Sequence, residues 1–107
     1  MEQTAETLFI PGGNDVVSAG GDDDNVAGGS GDDTINGGSG DDIMNGGSGS
    51  DTMNGGSGDD QIDGDKDSDL LTGGDGADQF NCGAGIDRIT DFDQTEGDTK
   101  KANCESF

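Results

Sequence analysis

The sequence predicts an all-β solenoid, in which short parallel strands joined by tight turns stack into coils. Two observations predict this fold class. From Gly28 to Asp63 the chain reads GGSGDDTIN, GGSGDDIMN, GGSGSDTMN and GGSGDDQID, four nine-residue repeats in tandem with no insertion. Each repeat has Gly at places 1, 2 and 4, Asp at place 6 and, at place 8, an apolar residue. A fixed short period is typical of a solenoid, where each repeat is one unit stacked on its neighbours.

The same period extends in both directions from these four repeats. The nine repeats begin at Ile10, Ala19, Gly28, Gly37, Gly46, Gly55, Gly64, Gly73 and Cys82. Place 6 is Asp in every repeat, at Asp15, Asp24, Asp33, Asp42, Asp51, Asp60, Asp69, Asp78 and Asp87. Place 8 is apolar in every repeat, at Val17, Val26, Ile35, Met44, Met53, Ile62, Leu71, Phe80 and Ile89. We therefore assign residues 10–90 to the solenoid.

The period predicts which side chains face inward. Places 7 to 9 form a short strand whose alternation sends place 8 into the core and places 7 and 9 to solvent. Place 6 has the parity of place 8, so its carboxylate also points inward, while place 5, as at Asp41, faces solvent and is expected to be dispensable for ion binding. Places 1 to 5 turn the chain, where Gly at places 1, 2 and 4 permits a positive φ and a close approach of carbonyl oxygens. Two repeats make one coil, and repeats n and n+2 stack about 4.8 Å apart.

Stacked turns of this composition require a cation. Each turn brings a carboxylate and several carbonyl dipoles to the same edge, where they would repel those of the next turn. Calcium accepts six to eight oxygen ligands in flexible geometry, whereas magnesium prefers a tighter octahedron and soft metals prefer His or thiolate ligands. We therefore predict calcium.

The overall composition points the same way. Only 25% of the 107 residues are hydrophobic, 23 are Gly, and the formal net charge is −21. Such a chain is normally disordered unless something cationic joins the fold. Nucleic acid is excluded as a partner because 4 Lys and Arg residues cannot neutralise a phosphate backbone. Insertion into a membrane is excluded because no apolar run approaches about 20 residues.

Other motifs that could explain the acidic residues fail. The run DGDKDSD at 63–69 suggests an EF-hand, but Ser68 stands where that loop requires Gly, and Gly74 stands where it requires the closing Glu. Without His there is no Ser-His triad. Paired carboxylates could indicate a glycosidase, but pairs that recur every nine residues indicate a scaffold. An ice-binding face is disfavoured because carboxylates interrupt the outward hydroxyls. We expect no catalytic activity.

These repeats resemble the RTX (repeats-in-toxin) family, over roughly residues 10–92. The resemblance implies a right-handed parallel β-roll in which the place-6 carboxylates and the turn carbonyls bind calcium between stacked turns. Carried over by position, the carboxylate ligands are the nine Asp residues at place 6, paired n to n+2 to give about seven ions. The implied carbonyl ligands are those of Gly28, Gly29, Gly31, Gly37, Gly38, Gly40, Gly46, Gly47, Gly49, Gly55, Gly56, Gly58, Gly73, Gly74 and Gly76. Asp65 and Asp67 replace glycines in the turn that begins at Gly64. The calcium sites that use this turn are therefore in question, as are the first two sites of the array.

The segments outside the solenoid are expected to close its ends. Residues 1–9 form an arm that continues the period with Glu6 and Leu8 as a degenerate capping strand, the alternative being a frayed terminus. Residues 91–107 form a C-terminal cap and tail, in which Phe92 covers the last coil and residues 93–107 are a polar tail. Cys82 and Cys104 are predicted to form a disulfide, as expected for an exported protein; the alternative is a buried free thiol at Cys82.

Two functions agree with these features. In the first, the chain is an extracellular calcium-binding structural protein that assembles head to tail, with residues 1–10 of one copy docking on the C-terminal coil of the next. In the second, it is the repeat and folding module of a larger secreted enzyme or toxin. We expect the first, because the chain begins with Met1 and shows no other domain.

Overall fold

The computed structural model of the protein describes residues 7–10, 12–101 and Cys104. These residues form eleven short strands, almost all of three residues, and every strand between the first and the last lies at places 7 to 9 of its repeat. The strands are β1 (Thr7–Phe9), β2 (Val16–Ser18), β3 (Asn25–Ala27), β4 (Thr34–Asn36), β5 (Ile43–Asn45), β6 (Thr52–Asn54), β7 (Gln61–Asp63), β8 (Leu70–Thr72), β9 (Gln79–Asn81), β10 (Arg88–Ile89) and β11 (Thr99–Lys100). One 3-10 helix (Gln94–Glu96) precedes β11. No helix among the described residues is long and apolar enough to cross a membrane.

The strands build two parallel sheets from alternate repeats. The odd-numbered strands form one sheet of six in the order β1-β3-β5-β7-β9-β11, and the even-numbered strands form one of five in the order β2-β4-β6-β8-β10. Paired residues within a sheet are 18 positions apart, as in Ile35 opposite Met53, except between β9 and β11, where they are 20 apart. This register confirms the predicted β-roll with two repeats per coil.

The core is a single layer of place-8 side chains between the two sheets. Its seven central members are at most 1% exposed: Val26, Ile35, Met44, Met53, Ile62, Leu71 and Phe80. The smallest dimension of the molecule is 15 Å, which accommodates two sheets packed about 10 Å apart with one layer of side chains between them. The short strands lead into turns at both edges, where the turns of successive coils are joined by backbone hydrogen bonds, as from Ser57 to Gly38.

The N-terminal coil is built as the period predicts. Thr7–Phe9 form β1, which pairs in parallel with β3 and places Leu8 opposite Val26. Leu8 packs against the buried core, whereas Phe9 is 77% exposed on the outer face. Glu6, the other residue predicted to continue the period, lies outside the described residues.

The C-terminal segment is more structured than the predicted polar tail. After β10 the chain forms the 3-10 helix and then β11, which pairs with β9 and places Lys100 opposite Phe80. The Phe92 ring packs 6.4 Å from that of Phe80, and the Lys100 ammonium lies 4.9 Å from the Phe92 ring centroid. A charged inward residue on an edge strand discourages further strand pairing. Beyond these contacts, Cys82 is bonded to Cys104, which confirms the predicted disulfide.

Candidate metal centre

The place-6 carboxylates form a ladder along both edges of the roll. From Asp33 onward, Oδ1 of each accepts a hydrogen bond from the backbone N–H of the place-6 Asp one coil earlier, as from Asp33 to Asp51 and from Asp42 to Asp60, both at 2.8 Å. All seven pairs predicted from the sequence are joined in this way: Asp15 with Asp33, Asp24 with Asp42, Asp33 with Asp51, Asp42 with Asp60, Asp51 with Asp69, Asp60 with Asp78 and Asp69 with Asp87. The structure therefore brings together the side chains that the period predicted to meet.

In seven of these carboxylates, the second oxygen accepts no hydrogen bond from the described part of the chain. Oδ2 is buried and accepts no hydrogen bond from any described residue in Asp15, Asp33, Asp42, Asp51, Asp60, Asp69 and Asp78. A buried carboxylate oxygen without a compensating partner is costly. Seven such oxygens at equivalent positions are the expected donors for a cation.

Place-1 glycines make room for these oxygens. A Cβ on Gly28 would lie 2.9 Å from Oδ2 of Asp33 and 2.7 Å from the carbonyl oxygen of Gly46, one coil later. A Cβ on Gly37 would lie 2.6 Å from Oδ2 of Asp42 and 2.9 Å from the carbonyl oxygen of Gly55. A carboxylate and a carbonyl oxygen thus converge on the side of the glycine that carries no side chain. Any larger residue would fill that space.

The role predicted for place 1 was therefore partly wrong. Positive φ occurs at places 2 and 4, for example at Gly38 (φ 92) and Gly40 (φ 101), but at none of the place-1 glycines that the structure describes. Place 1 needs glycine for space rather than for backbone conformation. Asp65 (φ 71) and Asp67 (φ 70) adopt the same left-handed conformation as the glycines they replace. The turn that begins at Gly64 consequently keeps the shape of its neighbours.

The predicted carbonyl ligands lie where successive turns stack. Place-2 carbonyls accept an N–H of the next coil, as Gly38 does from Ser57 and Gly29 from Ser48, both at 3.0 Å. A carbonyl oxygen has two lone pairs, so this bond leaves one free for a cation. In the described part of the chain, no three Cys, Asp or Glu side chains gather around one point. Backbone carbonyls would therefore supply most ligands of a bound ion, a donor set that suits calcium.

Burial raises the pKa of several place-6 carboxyls. The pKa is about 6 for Asp42, Asp51 and Asp60, against an ordinary value of 3.8. It is about 7 for Asp78 and about 8 for Asp69. Burial is the main cause; negative neighbours add to it, and the N–H bond to Oδ1 opposes it. Ionising these groups at neutral pH therefore costs free energy, which a bound cation would offset.

Place-5 side chains form a second ladder that runs in the opposite direction. Oδ1 of Asp41 accepts the N–H of Asp59, one coil later, at 2.8 Å, and Oδ1 of Asp59 accepts the N–H of Ala77 at 2.9 Å. The prediction that Asp41 faces solvent is confirmed, because its side chain is exposed. The expectation that Asp41 is dispensable for ion binding is weakened, because its carboxylate joins two coils. The parity rule identified its direction but not this bond.

The sequence did not identify two carboxylates in the C-terminal segment. Asp98 is 4% exposed, and its Oδ1 accepts the N–H of Asp78 at 2.8 Å, as a place-6 Asp would. Its Oδ2 accepts the N–H of Asp93 at 2.8 Å, so this carboxylate ends the ladder with both oxygens bonded. Asp91 accepts the N–H groups of Gly73 and Gly74 at 2.9 and 2.7 Å. Asp98 follows Asp78 by 20 residues instead of 18, so only a search allowing an insertion would find it.

Comparison with known proteins agrees with this geometry. The profile of the RTX calcium-binding nonapeptide repeat, in its four-copy form, matches residues 12–35, 18–53 and 54–89, which together span more than half of the chain. No curated protein and no solved structure gives a significant match. Repeats of this family bind calcium and are typical of secreted proteins. The chain belongs to the family of RTX calcium-binding nonapeptide repeat proteins, as a structural calcium-binding module.

Proposed function

We propose that this chain is a non-catalytic, exported module whose β-roll folds when calcium binds between its stacked turns. The observation that carries the proposal is the column of buried Oδ2 atoms that no described residue satisfies. With calcium bound, these oxygens gain a partner and the charge repulsion between coils falls. Without it, seven buried carboxylate oxygens that lack a partner among the described residues and a formal net charge of −21 oppose folding.

The proposed ligands are the carboxylates at place 6 and the turn carbonyls at places 1, 2 and 4. Nine repeats paired n to n+2 give seven sites, one for each hydrogen-bonded Asp pair. Asp98 extends the ladder by hydrogen bonding, but both its oxygens are occupied. We therefore expect it to close the array rather than add a site.

Ion counting tests this assignment. Protein dialysed against calcium and then against metal-free buffer should retain about seven ions per chain by atomic emission. Magnesium at the same concentration should not compete, because it resists dehydration and prefers a regular octahedron. Retention of one ion or none, or equal retention of magnesium, would contradict the proposal.

Export is supported by the disulfide. Cys82 and Cys104 are joined with a Cα–Cα distance of 5.1 Å. Disulfides persist in oxidising surroundings outside the cytosol, where calcium is also plentiful. In the producing cells, fractionation should find the protein in the medium or on the surface. Recovery of the reduced protein from the cytosol alone would contradict an extracellular role.

A second proposed function is end-to-end self-association. In the first coil, Phe9 is 77% and Val16 is 84% exposed, and no described strand pairs with the outer edge of β1 or β2. Such an edge offers free backbone donors and acceptors to another copy. Residues 1–10 of one copy would dock on the C-terminal coil of the next, where Lys100 would have to be accommodated. The alternative is that the chain serves as the folding module of a larger secreted enzyme or toxin.

Sedimentation distinguishes these two roles. Self-association predicts that in millimolar calcium the protein sediments as oligomers whose size grows with concentration, and that deleting residues 1–9 releases monomers that still fold with calcium. A monomer at high concentration would exclude the filament and favour the module of a larger protein.

A further inference from the structure

Three strands end in Asn and are followed by the glycine at place 1 of the next repeat. These Asn–Gly junctions are Asn36–Gly37, Asn45–Gly46 and Asn54–Gly55. We propose that they are deamidation sites that the folded roll protects and the unfolded chain exposes. The proposal concerns the outward-facing strand ends rather than the inward metal ligands.

The chemistry needs only water. The backbone nitrogen of the glycine loses its proton and attacks Cγ of the preceding Asn, forming an N–Cγ bond. The bond from Cγ to the side-chain nitrogen breaks, and ammonia leaves. Water then opens the resulting five-membered succinimide at either carbonyl, giving Asp or iso-Asp. Glycine favours the attack because it has no side chain to shield the nitrogen and its backbone is the most mobile.

In the folded roll each of these three peptide groups is bonded to both neighbouring coils. The carbonyl of Asn45 accepts the N–H of Gly28 at 2.8 Å, and the attacking N–H of Gly46 donates to the carbonyl of Asp63 at 2.8 Å. At the first junction, the carbonyl of Asn36 accepts the N–H of Ala19 at 2.9 Å, and the N–H of Gly37 donates to the carbonyl of Asn54 at 2.8 Å. That Asn54 carbonyl belongs to the third junction, where the N–H of Gly55 donates to the carbonyl of Thr72 at 2.8 Å. The nitrogen that must attack is therefore engaged in the stacking of the coils.

The protection comes from backbone conformation rather than burial. Asn36 and Asn54 are exposed, so water reaches their side chains freely. Both lie at the end of an extended strand, and the attack requires the Asn backbone to rotate away from the extended conformation. Oδ1 of Asn54 also accepts the N–H of Gly56 at 3.1 Å, and Oδ1 of Asn45 accepts that of Gly47 at 2.8 Å. Rotation would break all of these bonds, so reaction requires local unfolding.

Conversion would damage the roll. Iso-Asp adds one main-chain carbon at the junction between strand and turn, where the register with both neighbouring coils is set. Each deamidation also adds a negative charge to a chain whose formal net charge is already −21. A chain that stays unfolded would thus lose its capacity to form the roll, and folding would preserve it.

The chain contains its own control. Asn81 stands at place 9 like the three reactive Asn residues, but Cys82 follows it instead of glycine. The Cys side chain shields the nitrogen, so Asn81 should convert slowly even in the unfolded chain. Asp63–Gly64 can form the same succinimide by losing water and should isomerise without a change in mass.

Peptide mapping by mass spectrometry tests the inference. Full-length protein is incubated at neutral pH with calcium, with chelator, and with chelator plus urea, while circular dichroism reports its folding. Because only opened molecules react, we expect conversion at the three junctions to be at least about tenfold slower with calcium than in urea. In urea, Asn81 should remain largely intact.

The three conditions separate this inference from the calcium-folding proposal on which its physiological meaning rests. Chelated protein that stays folded and protected would contradict calcium-dependent folding but support protection by the fold. Equal conversion in calcium and in urea, with the β-signal intact in calcium, would overturn the inference. Conversion of Asn81 as fast as the three junctions would overturn the role of glycine.

Discussion

The backbone N–H of Asp42 donates a 2.8 Å hydrogen bond to Oδ1 of Asp60, the residue at the same place one coil later. Both carboxylates are buried, and the Oδ2 atom of each accepts no hydrogen bond from the described residues. One oxygen therefore stacks the coils, and the other is available to a cation. Because the same relationship recurs along both edges, the proposed ion binding and the folding would depend on the same side chains.

Removing a place-6 carboxylate should weaken calcium binding much more than removing its place-5 neighbour. Asp42→Ala removes Oδ2 and leaves the buried N–H of Asp24 without its acceptor, at a cost of roughly 1.5–3 kcal/mol, or about tenfold or more in the calcium midpoint. Asp41→Ala removes one exposed hydrogen bond, worth about 0.5–1.5 kcal/mol. Calcium titrations followed by circular dichroism measure both.

Asp41→Asn is the matched control for that pair, because it keeps an oxygen that can accept the N–H of Asp59. It should behave like the unmodified protein. Equal losses for Asp42→Ala and Asp41→Ala would show that the two ladders have been assigned the wrong roles.

Gly37→Ala should abolish or strongly weaken the adjoining sites, although its backbone conformation is an ordinary one. The new Cβ would lie 2.6 Å from Oδ2 of Asp42 and 2.9 Å from the carbonyl oxygen of Gly55, so the turn or the carboxylate must move. Where no clash occurs, Gly to Ala normally stabilises by about 0.4–1 kcal/mol. Ser39→Ala, an exposed change in the same turn, should alter stability by no more than about 0.5 kcal/mol. A Gly37→Ala protein with an unchanged calcium midpoint would refute the explanation by space.

Acid should partly replace calcium. Burial raises the pKa of Asp42 and Asp60 to about 6, of Asp78 to about 7 and of Asp69 to about 8. Because the folded-state pKa lies above the unfolded value, the penalty for folding without a cation is absent below about pH 4 and complete above about pH 8. Metal-free protein should therefore gain β-structure on acidification from about pH 8 to about pH 4.

The calcium concentration at the midpoint of folding should rise as the pH falls over the same range, since protons compete with calcium for the proposed carboxylate ligands. Circular dichroism of protein passed over a chelating resin measures the first effect, and titrations at two pH values measure the second. Metal-free protein whose β-signal does not increase on acidification would contradict the predicted effect.

Breaking the disulfide should loosen the C-terminal cap. The bond spans 22 positions of the sequence, and a loop of that length stabilises by about 3 kcal/mol in the chain-entropy model. Cys104→Ser with Cys82→Ser should lower the thermal midpoint in calcium while leaving the number of bound ions unchanged, because neither sulfur belongs to the ligand set. Mass spectrometry of freshly isolated, unreduced protein first establishes that the bond is present. A double variant with unchanged thermal stability would show that the bond does not hold the cap.

Most of the fold follows from two positions of the repeat. Asp at place 6 and an apolar residue at place 8 share one parity, which determines the strands, the inward faces and the pairing of residues 18 apart. The hydrogen bond between Asp41 and Asp59 could not be predicted. Parity gives the direction of a side chain, but it does not tell which group of the next coil an outward-facing side chain contacts.

The strand β11 and the Asp98 carboxylate within the predicted C-terminal cap were missed for a different reason. The 3-10 helix at Gln94–Glu96 shifts Asp98 by two residues from the period, and Lys100 lies opposite Phe80, whose place in the repeat is apolar in all nine repeats. A charged residue at the inward place ends the pattern in the sequence, although β11 continues the sheet. Its stabilisation comes from the Phe92 ring beneath the ammonium, a contact between residues that share no repeat position.

The central claim is that calcium and the fold form together, and circular dichroism of the full-length protein with and without a chelator tests it most directly. Seven divalent ions would reduce the formal net charge from −21 to about −7 and provide the buried Oδ2 atoms with ligands. The chelated protein should show a coil spectrum at neutral pH and gain β-signal cooperatively as calcium is added. A β-spectrum that persists unchanged in excess chelator at neutral pH would contradict the account.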